Sequence, residues 1–176
     1  MASKILRVAI AALLSVSALS SAASCSSPSP QATTDADAGA ETSVCTAFTA
    51  GPAPSPSTTI TKAQVDAIVN ISCSFTSCHG AKNTISKLYL PKPPSAWAAN
   101  MIDQPSLENP AMKIVVAGDP NNSWMIQKIT GGKCAFLASC VASTCGDQMP
   151  QGVGAALGQA DQTTLIEWVR QGAVQN

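Results

Sequence analysis

Chemistry concentrates in one stretch of the chain, Cys73-Ser74-Phe75-Thr76-Ser77-Cys78-His79-Gly80. His79 is the only histidine, and it directly follows one of seven cysteines. Two thiols just ahead of an imidazole suit covalent attachment of haem. The thiols add to the vinyl groups as thioethers, and the same turn presents the imidazole as the proximal iron ligand. Such cysteines usually have two residues between them and here have four, so the connecting loop must bulge outward. Two other readings use the same residues. Cys73 and Cys78 could close a small disulfide loop with His79 at the surface, or the cluster could hold zinc. Adjacent Cys78 and His79 aim poorly at one tetrahedral ion, and further thiol ligands would be at risk in an oxidising compartment.

With no second histidine, a methionine thioether is the natural donor on the opposite face of a haem iron. Beyond the N-terminal segment the chain offers Met101, Met112, Met125 and Met149. Met125 sits on an apolar helical face and reads as core filling. Met149 lies in Gly146-Asp147-Gln148-Met149-Pro150-Gln151-Gly152, whose glycines and proline would let backbone approach a flat ligand and hold its own shape. Met149 is therefore the expected distal ligand; the alternative is an incidental loop methionine.

Helices must position these residues. Thr61-Lys62-Ala63-Gln64 has capping-box spacing, and Val65, Ile68 and Val69 follow at helical intervals, which predicts a helix from Thr61 to about Asn70 leading to Cys73. Asp119-Pro120 reads as cap and first position of a second helix carrying Trp124, Met125, Ile126 and Ile129, ended by Gly131-Gly132. A third opens at Gly158, carries Leu165, Ile166, Trp168 and Val169, and closes on Gly172 in a left-handed conformation. A weaker one covers Ser95 to Met101. Proline- and glycine-rich connectors lie between them, and no period-two runs are clear. The expected fold is mostly α, a small helical domain with long loops.

The N-terminus gives the compartment. Lys4 and Arg7 precede an apolar run from Val8 to Leu19, then small residues up to Cys25, which is the pattern of an export signal over 1–24. That run is too short to span a bilayer as a helix. Ala22-Ala23-Ser24-Cys25 resembles a bacterial lipobox, although Ala22 stands where leucine is usual. Lipidation of Cys25 would anchor an exported protein to the bacterial membrane, periplasmic or at the cell surface. Ordinary cleavage in the same patch is the alternative. From Ser26 to Ser57 the chain is mostly Ser, Pro, Ala, Thr and Gly, which reads as a disordered tether over 25–57, with Cys45 pinning its last part back to the domain at 58–176.

Ten Lys and Arg balance ten Asp and Glu, so there is no basic field for nucleic acid. Acids are sparse, no second histidine can serve as a base, and no glycine-rich phosphate loop follows a strand, so no enzyme activity is expected.

The order of these pieces resembles the small c-type cytochrome domain of exported myxobacterial and planctomycete lipoproteins. It runs from Cys-His-Gly through Val115-Val116-Ala117-Gly118-Asp119-Pro120 and Lys128-Ile129-Thr130-Gly131 to Met149-Pro150 and the helix bearing Trp168. The resemblance implies thioethers at Cys73 and Cys78, His79 as proximal and Met149 as distal ligand of a haem c. It also implies that the C-terminal helix packs across the N-terminal one. Single-electron transfer to transient redox protein partners would follow. With Cys25 carrying lipid and Cys73 and Cys78 carrying haem, Cys45, Cys134, Cys140 and Cys145 remain and can form two disulfides in any of three connectivities. The alternative function is a disulfide-stabilised surface lipoprotein acting as a non-haem binding or structural module.

Overall fold

The structure is a computed structural model that describes residues 45–175 apart from 56, 85, 86, 95, 142, 143 and 153–155. The export signal, the proposed lipidation site Cys25 and the tether up to residue 44 lie outside the described residues. The domain is mostly helical, and no described helix is long and apolar enough to cross a membrane.

Helix α1 covers Lys62–Ser72 and starts as its sequence dictates. The Thr61 hydroxyl accepts the Gln64 amide at 3.4 Å, and Gln64 Oε1 accepts the Thr61 amide at 2.8 Å. Its face of Val65, Ile68 and Val69 is buried. Helix α3 covers Gln159–Arg170 with Gly158 as its N-cap residue. Its end is a Schellman motif. Gly172 has a φ of 94°, its amide donates to Val169 O, and the Ala173 amide donates to Trp168 O.

Helix α2 covers only Trp124–Thr130 and is closed by left-handed Gly131. It does not begin at Pro120 as expected. The Asp119 carboxylate accepts the Asn122 amide and side chain, and Ser123 Oγ takes the Val116 amide and donates to Asp119 O, which together build a closed turn over 116–123. The Trp124 and Met125 amides then donate to Lys113 O and Ile114 O, so the first turn is paired to a distant segment. The weak helix expected over Ser95–Met101 is a 3₁₀ turn at Trp97–Asn100, and a further 3₁₀ helix at Gly132–Ser139 was not anticipated.

Helices α1 and α2 both pack on α3. The Trp97 and Trp168 rings meet at the centre, 5.6 Å apart, and each indole is satisfied: Trp97 by Asp66 at 2.7 Å and Trp168 by Val174 O at 2.9 Å. Met101 belongs to this core and Met125 packs partly buried against it. A smaller cluster joins Trp124, Cys140 and Cys145 with Phe136 and Met112. The four remaining cysteines pair as Cys45–Cys134 and Cys140–Cys145, with Cα separations of 5.8 and 5.3 Å. The structure thus selects one of the three connectivities.

Candidate functional site: the Cys73–Gly80 turn and the Met149 loop

Helix α1 ends by delivering the cysteine. The Cys73 and Ser74 amides both donate to Val69 O, and the chain then folds tightly as the Cys78 and Gly80 amides both donate to Phe75 O. The turn is so close that a Cβ on Gly80 would lie 2.3 Å from Ser74 O and 2.9 Å from Phe75 C. Glycine is required there by contact with backbone, not by its φ. Cys73 is a free thiol whose burial pushes its pKa up to about 11. Ser74 beside it is fully buried, and its hydroxyl has no hydrogen-bond partner among the described residues.

Cys73 and Cys78 are not joined to each other. Cys73 is a free thiol, and Cys78 is disulfide-bonded. The small loop disulfide weighed from sequence is therefore not the arrangement of this fold.

His79 is half-buried, and its Nδ1 lies 3.1 Å from Leu88 O, while its own carbonyl accepts the Leu90 amide at 2.7 Å. A backbone carbonyl on Nδ1 fixes the ring and the tautomer with Nδ1 protonated, which leaves Nε2 as the lone-pair donor. Burial lowers the imidazole pKa from its ordinary value; the Leu88 bond and the Glu108 charge act the other way, and Lys128 adds to the lowering.

Met149 is partly buried against the main core, and the Met149-Pro150 peptide is cis. Its loop is fastened to α2. The Met149 amide donates to Lys128 O at 3.0 Å and Gln148 Nε2 donates to Ile129 O at 3.1 Å. Lys133 Nζ donates to Gly146 O. The Lys128 ammonium, almost fully buried, donates to Cys145 O at 2.6 Å and pairs with Glu108 at 2.8 Å; Glu108 also accepts Trp124 Nε1 at 3.2 Å. Burial lowers the Lys128 pKa, with Glu108 opposing. Gly146 has a use other than the expected approach to a ligand: a Cβ on it would lie 2.7 Å from Glu108 Oε1.

Lys128 holds the Met149 loop directly and bears on His79 only weakly, through charge. Sequence reasoning gives no role to Glu108 and includes Lys128 only within Lys128-Ile129-Thr130-Gly131; the available signal is a lysine inside the apolar run Trp124–Thr130.

The donor types that a bound haem would use are present in these segments. There is a free thiol at the end of α1, an imidazole oriented through Nδ1, and an anchored thioether. The sulfur of Cys78 would have to leave its present disulfide before it could form a thioether. Among the described residues no three His, Cys, Asp or Glu side chains converge as a metal-ligand set. Recesses of about 400 and 260 Å³ lie elsewhere, beside Phe48. No family model, curated protein or solved structure matches this chain.

Proposed function

We propose that this chain is a c-type cytochrome-like electron-transfer protein, exported and held to the bacterial membrane by lipid at Cys25. The observation that carries the reading is the orientation of the only imidazole: Nδ1 is committed to Leu88 O, two residues short of the strand of backbone that its own carbonyl ties down, so Nε2 remains for an iron. Cys73 and Cys78 would hold the haem covalently, His79 would be the proximal ligand and Met149 the distal one. When bound, the group supplies a coordinatively filled iron that passes single electrons, its reduced state favoured by the thioether. The tight Ser74–Gly80 turn would set the imidazole relative to both cysteines, and the Lys128 carbonyl would hold the Met149 loop. A transient redox protein would be the partner.

The test is expression with a cytochrome c maturation system, followed by spectra and intact mass. A Soret band and a mass gain of one haem that survives denaturation support the reading. Colourless protein of apoprotein mass refutes it. A Met149→Ala variant that keeps both haem and potential would remove the distal assignment alone.

A second reading is favoured by the disulfide at Cys78. On it, the chain is an exported, disulfide-stapled module without metal, and peptide mapping of the mature protein would find Cys78 still bonded to sulfur.

A further inference from the structure

Residues 45–55 and 57–60 form a strap across α2 and α3, tied down by side chains. Fully buried Gln127 grips Phe48 on both sides: the Phe48 amide donates to Oε1 at 2.8 Å and Nε2 donates to Phe48 O at 2.9 Å. Asn121 Oδ1 accepts the Ala50 amide at 2.7 Å, and Arg170 donates to Gly51 O at 2.7 Å. Gln171 repeats the grip farther on, accepting the Ile60 amide and donating to Thr58 O, each at 2.8 Å. Gly132 is needed where the strap crosses, because a Cβ there would lie 2.4 Å from the Phe48 amide nitrogen and 2.3 Å from Gln127 Oε1. The Cys45–Cys134 bond closes the far end, linking residues 89 apart in sequence.

The two disulfides differ in access. Cys45 is exposed and Cys134 half-buried, whereas Cys140 and Cys145 are only 7% and 1% exposed. Thiol–disulfide exchange requires a thiolate to reach a sulfur, so the enclosed bond is shielded and the outer one is not. What holds the strap besides this bond is unevenly spread. Ile60 belongs to the main core, while the clasped end carries Phe48 as its one large apolar side chain, half-buried, and otherwise only hydrogen bonds that water can replace.

We propose that Cys45–Cys134 is a reducible clasp: a dithiol reductant opens it in preference to Cys140–Cys145 and frees residues 45–51 from α2 and α3 while the α1/α3 core stays folded. The dithiol gives up two electrons and two protons and ends as its own disulfide; Cys45 and Cys134 end as thiols. The hinge falls at Pro52–Pro54, between the Gly51 tie and the Gln171 grip. Release uncovers the Gln127 amide, which is built to pair with extended backbone. This inference is independent of the haem reading.

The test uses the mature chain in native buffer. It is treated with graded dithiothreitol, alkylated, peptide-mapped and followed by hydrogen exchange. Cys45 and Cys134 should take label at reductant levels at least tenfold below those that label Cys140 and Cys145. Exchange over 46–51 should accelerate at least tenfold with no change over 65–69 and 165–169. Opening of both bonds together, or a strap that stays protected after reduction, overturns the proposal. A Cys45→Ser/Cys134→Ser variant, which needs no reductant, should show the fast-exchanging strap on an intact core. Failure of that variant to fold would also overturn it, since the bond would then be part of what keeps the core together.

Discussion

Replacing Gly80 by alanine isolates what the Cys-His-Gly turn requires. The new Cβ would meet Ser74 O at 2.3 Å and Ser74 C at 2.8 Å, both backbone atoms, so no flexible side chain can swing aside. The turn must open by several tenths of an ångström, against two hydrogen bonds to Phe75 O that hold it shut. Forced overpacking of this kind costs about 1–3 kcal/mol. At roughly 4 °C per kcal/mol for a domain of this size, that is a drop in Tm of roughly 4–12 °C. The matched control is Gly51→Ala, where nothing lies within 4 Å of the added carbon, and loss of chain entropy in the unfolded state should make the change neutral or stabilising by up to about 1 kcal/mol. Denaturant titrations of both variants give the difference. NMR of the His79 ring reports whether opening the turn also breaks the bond from Nδ1 to Leu88 O, which lies 3.1 Å away. If Gly80→Ala matches Gly51→Ala in stability and leaves the His79 ring signals unmoved, the steric reasoning is wrong.

Three further outcomes follow from the same geometry. With its pKa pushed up to about 11, the Cys73 thiol should react with iodoacetamide at pH 8 about two hundredfold more slowly than a free cysteine, because so little of it is thiolate. Its folded value lies above its unfolded one, so the contribution to stability is present below the unfolded pKa and is lost as pH rises toward 11; Cys73→Ala should flatten that alkaline slope in a urea titration series. Gln127→Leu should cost about 1.5–4 kcal/mol by removing three side-chain hydrogen bonds, to the Phe48 amide, Phe48 O and Asn121 O. Gln127→Glu should be worse at neutral pH and should recover in acid, where a protonated carboxyl can again donate to one of those carbonyls. Within the Lys128–Glu108 pair, whose side chains are 6% and 40% exposed, Glu108→Ala should cost about 2–3 kcal/mol and Lys128→Met about 1, since the half-exposed carboxylate can turn to water and the buried ammonium cannot. Equal costs in chemical denaturation would count against that assignment of burial.

What could be read from sequence divides along the range of the interactions. The start of α1 was legible because Thr61 and Gln64 satisfy each other within one turn, and the end of α3 because Gly172 caps it locally. The start of α2 was not, because its first amides are taken by Lys113 and Ile114, carbonyls from a segment that sequence does not pair with it. The count of cysteines anticipated two disulfides among Cys45, Cys134, Cys140 and Cys145, yet nothing local could choose the partner 89 residues away. Composition from Ser26 to Ser57 argued for a tether, and so it would be without Gln127, Asn121, Arg170 and Gln171, polar side chains on or beside other helices that bind its backbone from residue 48 onward. The candidate site shows the same division. Cys73, Cys78, His79 and Met149 stand out by type and spacing, whereas Lys128 and Glu108 act through contacts between segments far apart in the chain.

Helix α2 shows why those long-range contacts concentrate where they do. It has only seven residues and is buried nearly all round, a geometry that normally demands apolar side chains on every face. Adjacent Gln127 and Lys128 break that rule, and being about 100° apart on a helix they face different neighbours. Each is satisfied chiefly from outside the helix: Gln127 by the strap at Phe48, and Lys128 by Glu108 and the Cys145 carbonyl. The strap is closed by Cys45–Cys134, and the stretch that supplies the Cys145 carbonyl ends in Cys140–Cys145. A short helix that cannot stand alone in water is thus held by two stapled segments. The chain after Cys145 leads directly into the Met149 loop, whose amide is held by the carbonyl of the same Lys128.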